Sequence, residues 1–255
     1  MKFGVCLKAG SVAKAGAVGF EFAELRACEV ASLSDADFTA LASKMASSPI
    51  KPECYNVIFT GASYRLVSPG IDKDKLSEYL HKTFARLQTL GGKIVVLGSG
   101  GARKVPEGGD KASAFAELVE SVKFMGDIAS KFGLTIAIEP LRRGDTNLIN
   151  TVSEGAELVT TVGHPSVGLL ADIFHMTANG EQAEDIVKAG KLVHVHVCGE
   201  GRKFPKLKDL AYLAPFVKAL MDIGYDGRIS VEAQAPLFLG STLKGALATL
   251  KEAFR

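Results

Sequence analysis

Four ionisable side chains stand at the ends of four successive apolar segments in the second half of the chain. Three are carboxylates and one is an imidazole: Glu139 in "AIEPL", Asp172 in "LLADIFH", His196 in "VHVHV" and Glu232 in "ISVEA". Three carboxylates held close together would shift one another's pKa values unless a cation compensated their charge. Three oxygen donors and one imidazole suit one divalent metal ion, with Mn²⁺, Co²⁺, Mg²⁺ and Zn²⁺ as candidates. We therefore predict that these four residues are metal ligands.

The segments that carry these residues belong to an alternation of short apolar and longer amphipathic stretches along the whole chain. Eight short stretches are predicted strands: residues 2–7, 20–25, 54–59, 93–98, 134–139, 167–172, 192–197 and 228–233. Each is followed by a predicted helix, and this alternation indicates a parallel sheet with right-handed crossovers. Eight units in 255 residues match the size of a closed (β/α)₈ TIM barrel. We predict an α/β protein with a single barrel domain over residues 1–255.

An open, doubly wound sheet is the alternative architecture for the same alternation. It would carry a GxGxxG phosphate-binding turn after the first strand, whereas the first strand here is followed by "KAGSVAKAGAVG". The glycine-rich "GSGGA" at residues 98–102 follows the fourth strand and matches that fingerprint poorly. We interpret it as a tight turn beside the site.

The barrel places all four predicted ligands at one end of its lumen. Side chains alternate between the lumen and the helices along each strand, so Glu139, Asp172, His196 and Glu232 point inward. They lie at the C-terminal mouth, where barrel enzymes carry their chemistry. Taken singly, a carboxylate at a strand end can equally be a loop cap or an ion-pair partner. The metal site is inferred from the coincidence on four consecutive strands. His194 is interpreted as a hydrogen-bonded lumen residue one layer below.

Composition and charge limit the classes of partner. The formal net charge of +2 argues against nucleic acid or a membrane surface as a partner. No apolar run is long enough to span a bilayer, and the N-terminal "MKFGVCLKAG" does not resemble a signal peptide. The four cysteines form no CxxC pair, which is typical of reduced thiols. These features together predict a cytoplasmic protein.

The segments "IEPL", "ADIFHM", "VHVHVCGEGR" and "ISVEA" resemble the metal-site segments of the xylose isomerase-like TIM barrel superfamily. Within it the chain is similar to sugar (phosphate) isomerases and epimerases, including ketose 3-epimerases of the tagatose/psicose type. The resemblance implies the same four metal ligands. It also implies that His175, Arg202 and Asp145 contact the substrate, and that the protein is a homo-oligomer, either a dimer or a tetramer. His175 has an equally plausible interpretation as a helix-cap histidine.

We predict epimerisation at C3 of a ketose or ketose phosphate. A metal that chelates the C2 carbonyl and C3 hydroxyl oxygens would acidify the C3 proton and stabilise the enediolate. Glu139 and Glu232, on strands well apart in the ring, would remove and return that proton as the catalytic acid and base. An aldose–ketose or hydroxypyruvate-type isomerase acting by 1,2 proton transfer is the first alternative. An endonuclease IV-like DNA repair enzyme and a barrel that only binds a ligand are the others.

Basic side chains cluster in the predicted loops at the mouth. They follow strands four, five and seven: Arg103, Lys104, Arg142, Arg143, Arg202 and Lys203. Guanidinium groups pair bidentately with phosphate and carboxylate, so the cluster predicts an anionic group on the substrate. A solvated loop surface is the alternative, which we favour for Lys104 and Lys203. Arg202, close to the metal histidine, is the best candidate for a substrate contact.

Overall fold

The computed structural model describes residues 1–234 and 240–255. Its eight strands are all parallel and close into one barrel in sequence order, which confirms the predicted (β/α)₈ fold. Their bounds are β1 Lys2–Cys6, β2 Phe22–Arg26, β3 Lys51–Asn56, β4 Ile94–Leu97, β5 Thr135–Ile138, β6 Val167–Asp172, β7 Leu192–Val197 and β8 Arg228–Val231. The third strand was predicted at residues 54–59 and lies three residues earlier, at Lys51–Asn56, so its predicted bounds were wrong.

Helices cover the outside of the barrel. Those described are α1 Val12–Val18, α2 Ala27–Ser32, α3 Asp35–Ala46, α4 Lys73–Thr89, α5 Gly100–Arg103, α6 Lys111–Lys131, α7 Val152–Val162, α8 Ile173–Asn179, α9 Glu184–Ala189, α10 Leu210–Asp222 and α11 Gly240–Ala253. Their starts follow local chemistry: Asp110 caps α6, and Thr151 with Glu154 forms a capping box on α7. Of these described helices, none combines the length and apolarity that a membrane span requires.

Two apolar cores form because successive strand residues point to opposite sides of the barrel wall. On β5, Ile136 and Ile138 pack into the large core between strands and helices, whereas Ala137 joins a small cluster inside the lumen. Leu170 on β6 also lies in the lumen cluster. The same alternation directs Glu139 and Asp172 inward, as the sequence predicted.

Strand register places two of the predicted ligands side by side. The pairing of β6 with β7 shifts between Leu169 and Leu170, and beyond that irregularity Asp172 lies opposite His196. On the other side, His196 lies opposite Ser230 of β8, two residues before Glu232. Strand pairing therefore brings Asp172 and His196 to one level, and places Glu232 two residues closer to the C-terminal mouth.

Candidate active site

The structure brings the four predicted ligands into one cluster. Asp172 ends β6 and His196 lies within β7, while Glu139 and Glu232 directly follow β5 and β8. Nδ1 of His196 lies 3.1 Å from Oε1 of Glu139, 3.3 Å from Oε2 of Glu232 and 3.9 Å from Oδ2 of Asp172. One ligand atom from each residue lies within 4.8 Å of all the others. One small ion could therefore contact all four side chains.

The charges of this cluster are poorly compensated by the protein. Burial, together with the neighbouring Glu232 and Glu139 carboxylates, raises the pKa of Asp172 well above its ordinary value. Burial also acts to raise the pKa of Glu232, but attraction to His196 and Arg202 outweighs it and lowers that pKa to about 2. Three carboxylates thus share one imidazole and one guanidinium.

Asp172 provides the test of whether a metal ion fits. Its Oδ1 accepts a hydrogen bond of 2.7 Å from the backbone N–H of Phe174 at the start of α8. Its Oδ2 is buried and has no hydrogen-bond partner, and this is the atom that faces His196. A buried carboxylate oxygen without a donor is costly unless a cation approaches it. The donor set of three carboxylates and one imidazole fits a divalent cation.

Neighbouring side chains hold Glu232 in place. Arg202 donates from Nη2 to Oε2 of Glu232 at 2.8 Å, and its guanidinium lies 4.5 Å from the centre of the Phe174 ring. Asn56, at the end of β3, donates to Oε1 of Glu232 at 3.3 Å. Both carboxylate oxygens are therefore oriented by donors from two other segments of the chain, which limits the rotation of the side chain.

A fifth charged residue, Glu24 of β2, lies in the lumen below the cluster and was missed by the sequence reasoning. It is fully buried, and its carboxylate accepts hydrogen bonds from His194 at 2.8 Å and from His196 at 2.9 Å. Burial acts to raise the pKa of Glu24, but the two histidines outweigh it and lower that pKa well below its ordinary value. The inferred position of His194, hydrogen-bonded below the site, is confirmed.

The signal for Glu24 was present in the sequence. Along β2 it stands two residues after Phe22, whose ring belongs to the lumen cluster, so the alternation directs the Glu24 carboxylate inward. Two thiols approach it, but burial and the Glu24 charge raise the pKa values of Cys6 and Cys54 well above their ordinary values. Without a bound cation, both thiols are therefore protonated.

A cavity of about 210 Å³ opens at the mouth beside the cluster. The three predicted substrate residues Asp145, His175 and Arg202 all line it, together with Glu139 and Glu232. His175 is buried, and its Nδ1 accepts a hydrogen bond of 3.2 Å from the backbone N–H of Arg142. Its Nε2 lies 3.8 Å from Oδ2 of Asp172. The structure thus brings these residues to the site, and their substrate contacts stay predictions.

The predicted cluster of anion-binding basic side chains is wrong for one of its members, Arg103. Arg103 is buried and donates to three backbone carbonyl oxygens, those of Leu97, Glu139 and Leu148. Because its guanidinium makes these hydrogen bonds inside the protein, it is not available to bind a ligand. Arg142 forms a bidentate ion pair with Asp145 at 2.9 and 3.1 Å.

Comparison with known proteins matches residues 11–253 to the family model described as xylose isomerase-like TIM barrel. A probable ketose 3-epimerase of Synechocystis sp. is 33% identical over 119 residues, 45% of this chain and 40% of that protein. An inosose isomerase of Bacillus velezensis is 28% identical over 92% of this chain and 86% of that protein. The chain spans less than half the length of the curated ketose 3-epimerases that it matches at 32 or 33% identity.

Solved structures share the fold over the whole chain. A D-psicose 3-epimerase crystallised in the presence of D-fructose superposes with a TM-score of 0.85 at 21% identity, covering 100% of this chain and 99% of that one. The IOLI protein, solved with a bound zinc atom, gives a TM-score of 0.74 at 22% identity, covering 100% and 98%. At these identities the likeness concerns the fold.

Proposed function

We propose that this chain, which belongs to the xylose isomerase-like TIM barrel family, is a divalent-metal-dependent epimerase of ketoses that acts at C3. The observation that carries the proposal is the convergence of Glu139 and Glu232 on Nδ1 of His196, at 3.1 and 3.3 Å, beside a cavity of about 210 Å³ that both glutamates line. Similar sequences include a probable ketose 3-epimerase, which supports the same class of reaction.

Glu139, Asp172, His196 and Glu232 are the proposed metal ligands. When bound, a divalent cation supplies a Lewis acid that acidifies the proton next to the substrate carbonyl. The buried and unpaired Oδ2 of Asp172 supports this assignment, as does the fit of the donor set. Mn²⁺, Co²⁺, Mg²⁺ and Zn²⁺ all remain candidates.

Glu139 and Glu232 are the proposed catalytic acid and base. They extend from β5 and β8, which are not neighbours in the barrel, and both line the cavity. A substrate held between them would present one face of C3 to each carboxylate, so one could remove the proton and the other return it. Arg202 and Asn56 orient Glu232 for this task through their hydrogen bonds.

Asp145, His175 and Arg202 are the proposed substrate-binding residues. Burial lowers the pKa of His175, so its ring is neutral near pH 7 and can donate from one nitrogen and accept at the other. Its Nδ1 already accepts from the Arg142 backbone, which leaves the Nε2–H to donate. A carboxylate at Asp145 and donors at His175 and Arg202 are the groups that bind sugar hydroxyls.

The charges around the cavity favour an unphosphorylated sugar. Among the described residues that line it, Arg202 carries the positive charge, and this guanidinium is already paired with Glu232. The carboxylates of Glu139, Asp145 and Glu232 face the same space. A phosphate dianion would meet no unpaired guanidinium or ammonium group among these described lining residues, whereas hydroxyl groups find acceptors. We therefore propose a free ketose and place ketose phosphates second.

An isomerase acting by 1,2 proton transfer is the second candidate function. An inosose isomerase of Bacillus velezensis matches 92% of this chain, and that observation keeps the alternative in view. The same carboxylates and the same cation would serve either reaction, since both move a proton next to a carbonyl. A homo-oligomeric state and a cytoplasmic location stay predictions from the sequence.

Deuterium uptake tests the proposal and separates the candidates. The protein, freed of metal and then loaded with Mn²⁺, is incubated in D₂O with a panel of free ketoses and ketose phosphates, and the products are analysed by NMR. The proposal expects deuterium at C3 and a new C3 epimer from a free ketose. Deuterium at C1 with an aldose product would establish the isomerase instead. Absence of exchange with every sugar would contradict both.

A further inference from the structure

Glu24 is a fully buried carboxylate whose hydrogen bonds have no part in the reaction as proposed above. Glu24 lies in the barrel lumen, below the cavity and away from its lining residues. We propose that Glu24 is a positioning residue for the metal site, which fixes the tautomer and the orientation of the His196 ring. This inference rests on the proposed function, because it takes His196 as a metal ligand.

Hydrogen-bond polarity determines the tautomer of His196. The Oε1 atom of Glu24 lies 2.9 Å from Nε2 of His196, and an ionised carboxylate can only accept. The hydrogen of a neutral His196 ring is therefore held on Nε2, and Nδ1 keeps its lone pair. Nδ1 is the atom that faces Glu139, Asp172 and Glu232. Ligation requires an unprotonated nitrogen at that position, so Glu24 prepares the ring for a cation.

His194 prevents the Glu24 carboxylate from turning away. Nε2 of His194 lies 2.8 Å from Oε2 of Glu24, and Nδ1 of His194 lies 2.9 Å from the backbone carbonyl oxygen of Arg228. Because Glu24, His194 and His196 are all fully buried, water does not compete for these bonds. The chain of contacts runs from the β8 backbone through His194 and Glu24 to His196, and so couples the position of a ligand to the rigid barrel wall.

A simpler account is that Glu24 merely satisfies two buried histidines and contributes stability alone. The two accounts differ in what they predict for a cation. If Glu24 contributes stability alone, replacing it should lower the free energy of unfolding but leave the metal affinity of the folded protein unchanged. If Glu24 positions His196, replacing Glu24 should weaken metal binding, because residues that orient a ligating histidine commonly contribute roughly 10–100-fold to metal affinity.

The test measures Mn²⁺ affinity by EPR titration in Glu24→Gln and Glu24→Leu. A glutamine presents one acceptor oxygen to two rings, and a leucine presents none. We expect the dissociation constant to rise about 10–100-fold in both variants. Glu53→Gln is the matched control, because Glu53 pairs with Arg228 and Lys2 rather than with either histidine. It should bind Mn²⁺ as the wild type does.

A second measurement follows the tautomer directly. In metal-free wild type, at a pH alkaline enough to leave the His196 ring neutral, ¹⁵N NMR of the histidine rings should show its hydrogen on Nε2, and Glu24→Leu should show both tautomers. Wild-type affinity in both Glu24 variants, an unchanged tautomer in Glu24→Leu, or an equal loss in Glu53→Gln would overturn the inference. If the wild type binds no Mn²⁺, the proposed function fails, and the tautomer measurement still decides the role of Glu24.

Discussion

Because Gly98, directly after β4, has no side chain, the Glu139 carboxylate can occupy the space beside it. A Cβ atom built on Gly98 would overlap Oε2 of Glu139. Arg103 donates a hydrogen bond to the backbone carbonyl of Glu139 and so fixes the backbone from which this side chain extends. Any larger residue at this position would therefore force the Glu139 carboxylate to move, although the backbone of Gly98 is not left-handed.

We expect Gly98→Ala to displace the Glu139 carboxylate and to impair metal binding and proton exchange. Misplacement of a catalytic group by about 1 Å can lower the rate on the order of 100-fold. The measurements are Mn²⁺ affinity and the initial rate of deuterium exchange into a ketose. Gly144→Ala is the control, since a Cβ there meets its nearest neighbour, Nε of Arg142, at 4.0 Å. Equal rates in the two variants would contradict the packing argument.

Replacing either proposed acid/base carboxylate should abolish exchange while leaving the fold intact. Glu139→Gln and Glu232→Gln preserve side-chain shape but remove the proton acceptor, so exchange at C3 should fall at least about 100-fold. Deuterium uptake by each variant at saturating Mn²⁺ checks this. The exposed Glu200, in the loop after β7, supplies the control Glu200→Gln, which should exchange at the wild-type rate. Wild-type exchange in either active-site variant would remove that residue from the catalytic role.

Loss of Arg103 should destabilise the protein strongly. Its guanidinium satisfies three buried carbonyl oxygens at 2.6 to 3.2 Å. Arg103→Met leaves these acceptors without donors, and the loss should be on the order of 3–5 kcal/mol. Thermal unfolding checks it, with Lys104→Met as the control because Lys104 is exposed. A melting temperature in Arg103→Met equal to that of Lys104→Met would show that the buried contacts contribute little.

The raised pKa of Glu181 predicts that the protein loses stability as pH rises. Burial raises the pKa of Glu181 to about 7, although its Oε1 accepts a hydrogen bond from the backbone N–H of Val152. Because the folded pKa exceeds the unfolded one, the proton stabilises the folded state at low pH. That contribution is complete below the unfolded pKa and is lost as pH rises through about 7.

Glu181→Gln should therefore be more stable than the wild type at pH 8 and similar to it at pH 4.5. The amide keeps the acceptor for Val152 but carries no charge, and the gain should be about 1–2 kcal/mol after allowance for solvent screening. Melting temperatures measured across this pH range check the sign. The exposed Glu184 gives the control Glu184→Gln. A difference that shrinks with rising pH would contradict the assignment.

The fold and the four proposed ligands could be predicted because they depend on a local rule. Alternation along a strand determines which side chains point inward, and strand ends in a barrel meet at one mouth. Asp172 and Glu139 therefore needed no knowledge of distant contacts. The start of β3 was harder, because Pro52 suggests a loop. That strand ends at Asn56, and the next residue, Val57, adopts a positive φ of 47°.

Residues whose role depends on distant partners were assigned less well. Arg103 was interpreted as a mouth residue because it follows a strand, but its three acceptors come from separate loops that only the closed barrel brings together. Glu24 was missed, although the alternation along β2 directs its carboxylate inward. Its importance arises from His194 and His196, which lie more than half the chain away. Sequence spacing carries no information on such pairs.

The central claim is that four side chains from the last four strands hold one divalent cation. Anomalous diffraction at the manganese edge, from crystals soaked in Mn²⁺, tests it most directly. We predict a single anomalous peak at bonding distance from carboxylate oxygens of Glu139, Asp172 and Glu232 and from Nδ1 of His196. A map without a peak among these atoms, or a peak elsewhere in the barrel, would contradict the account.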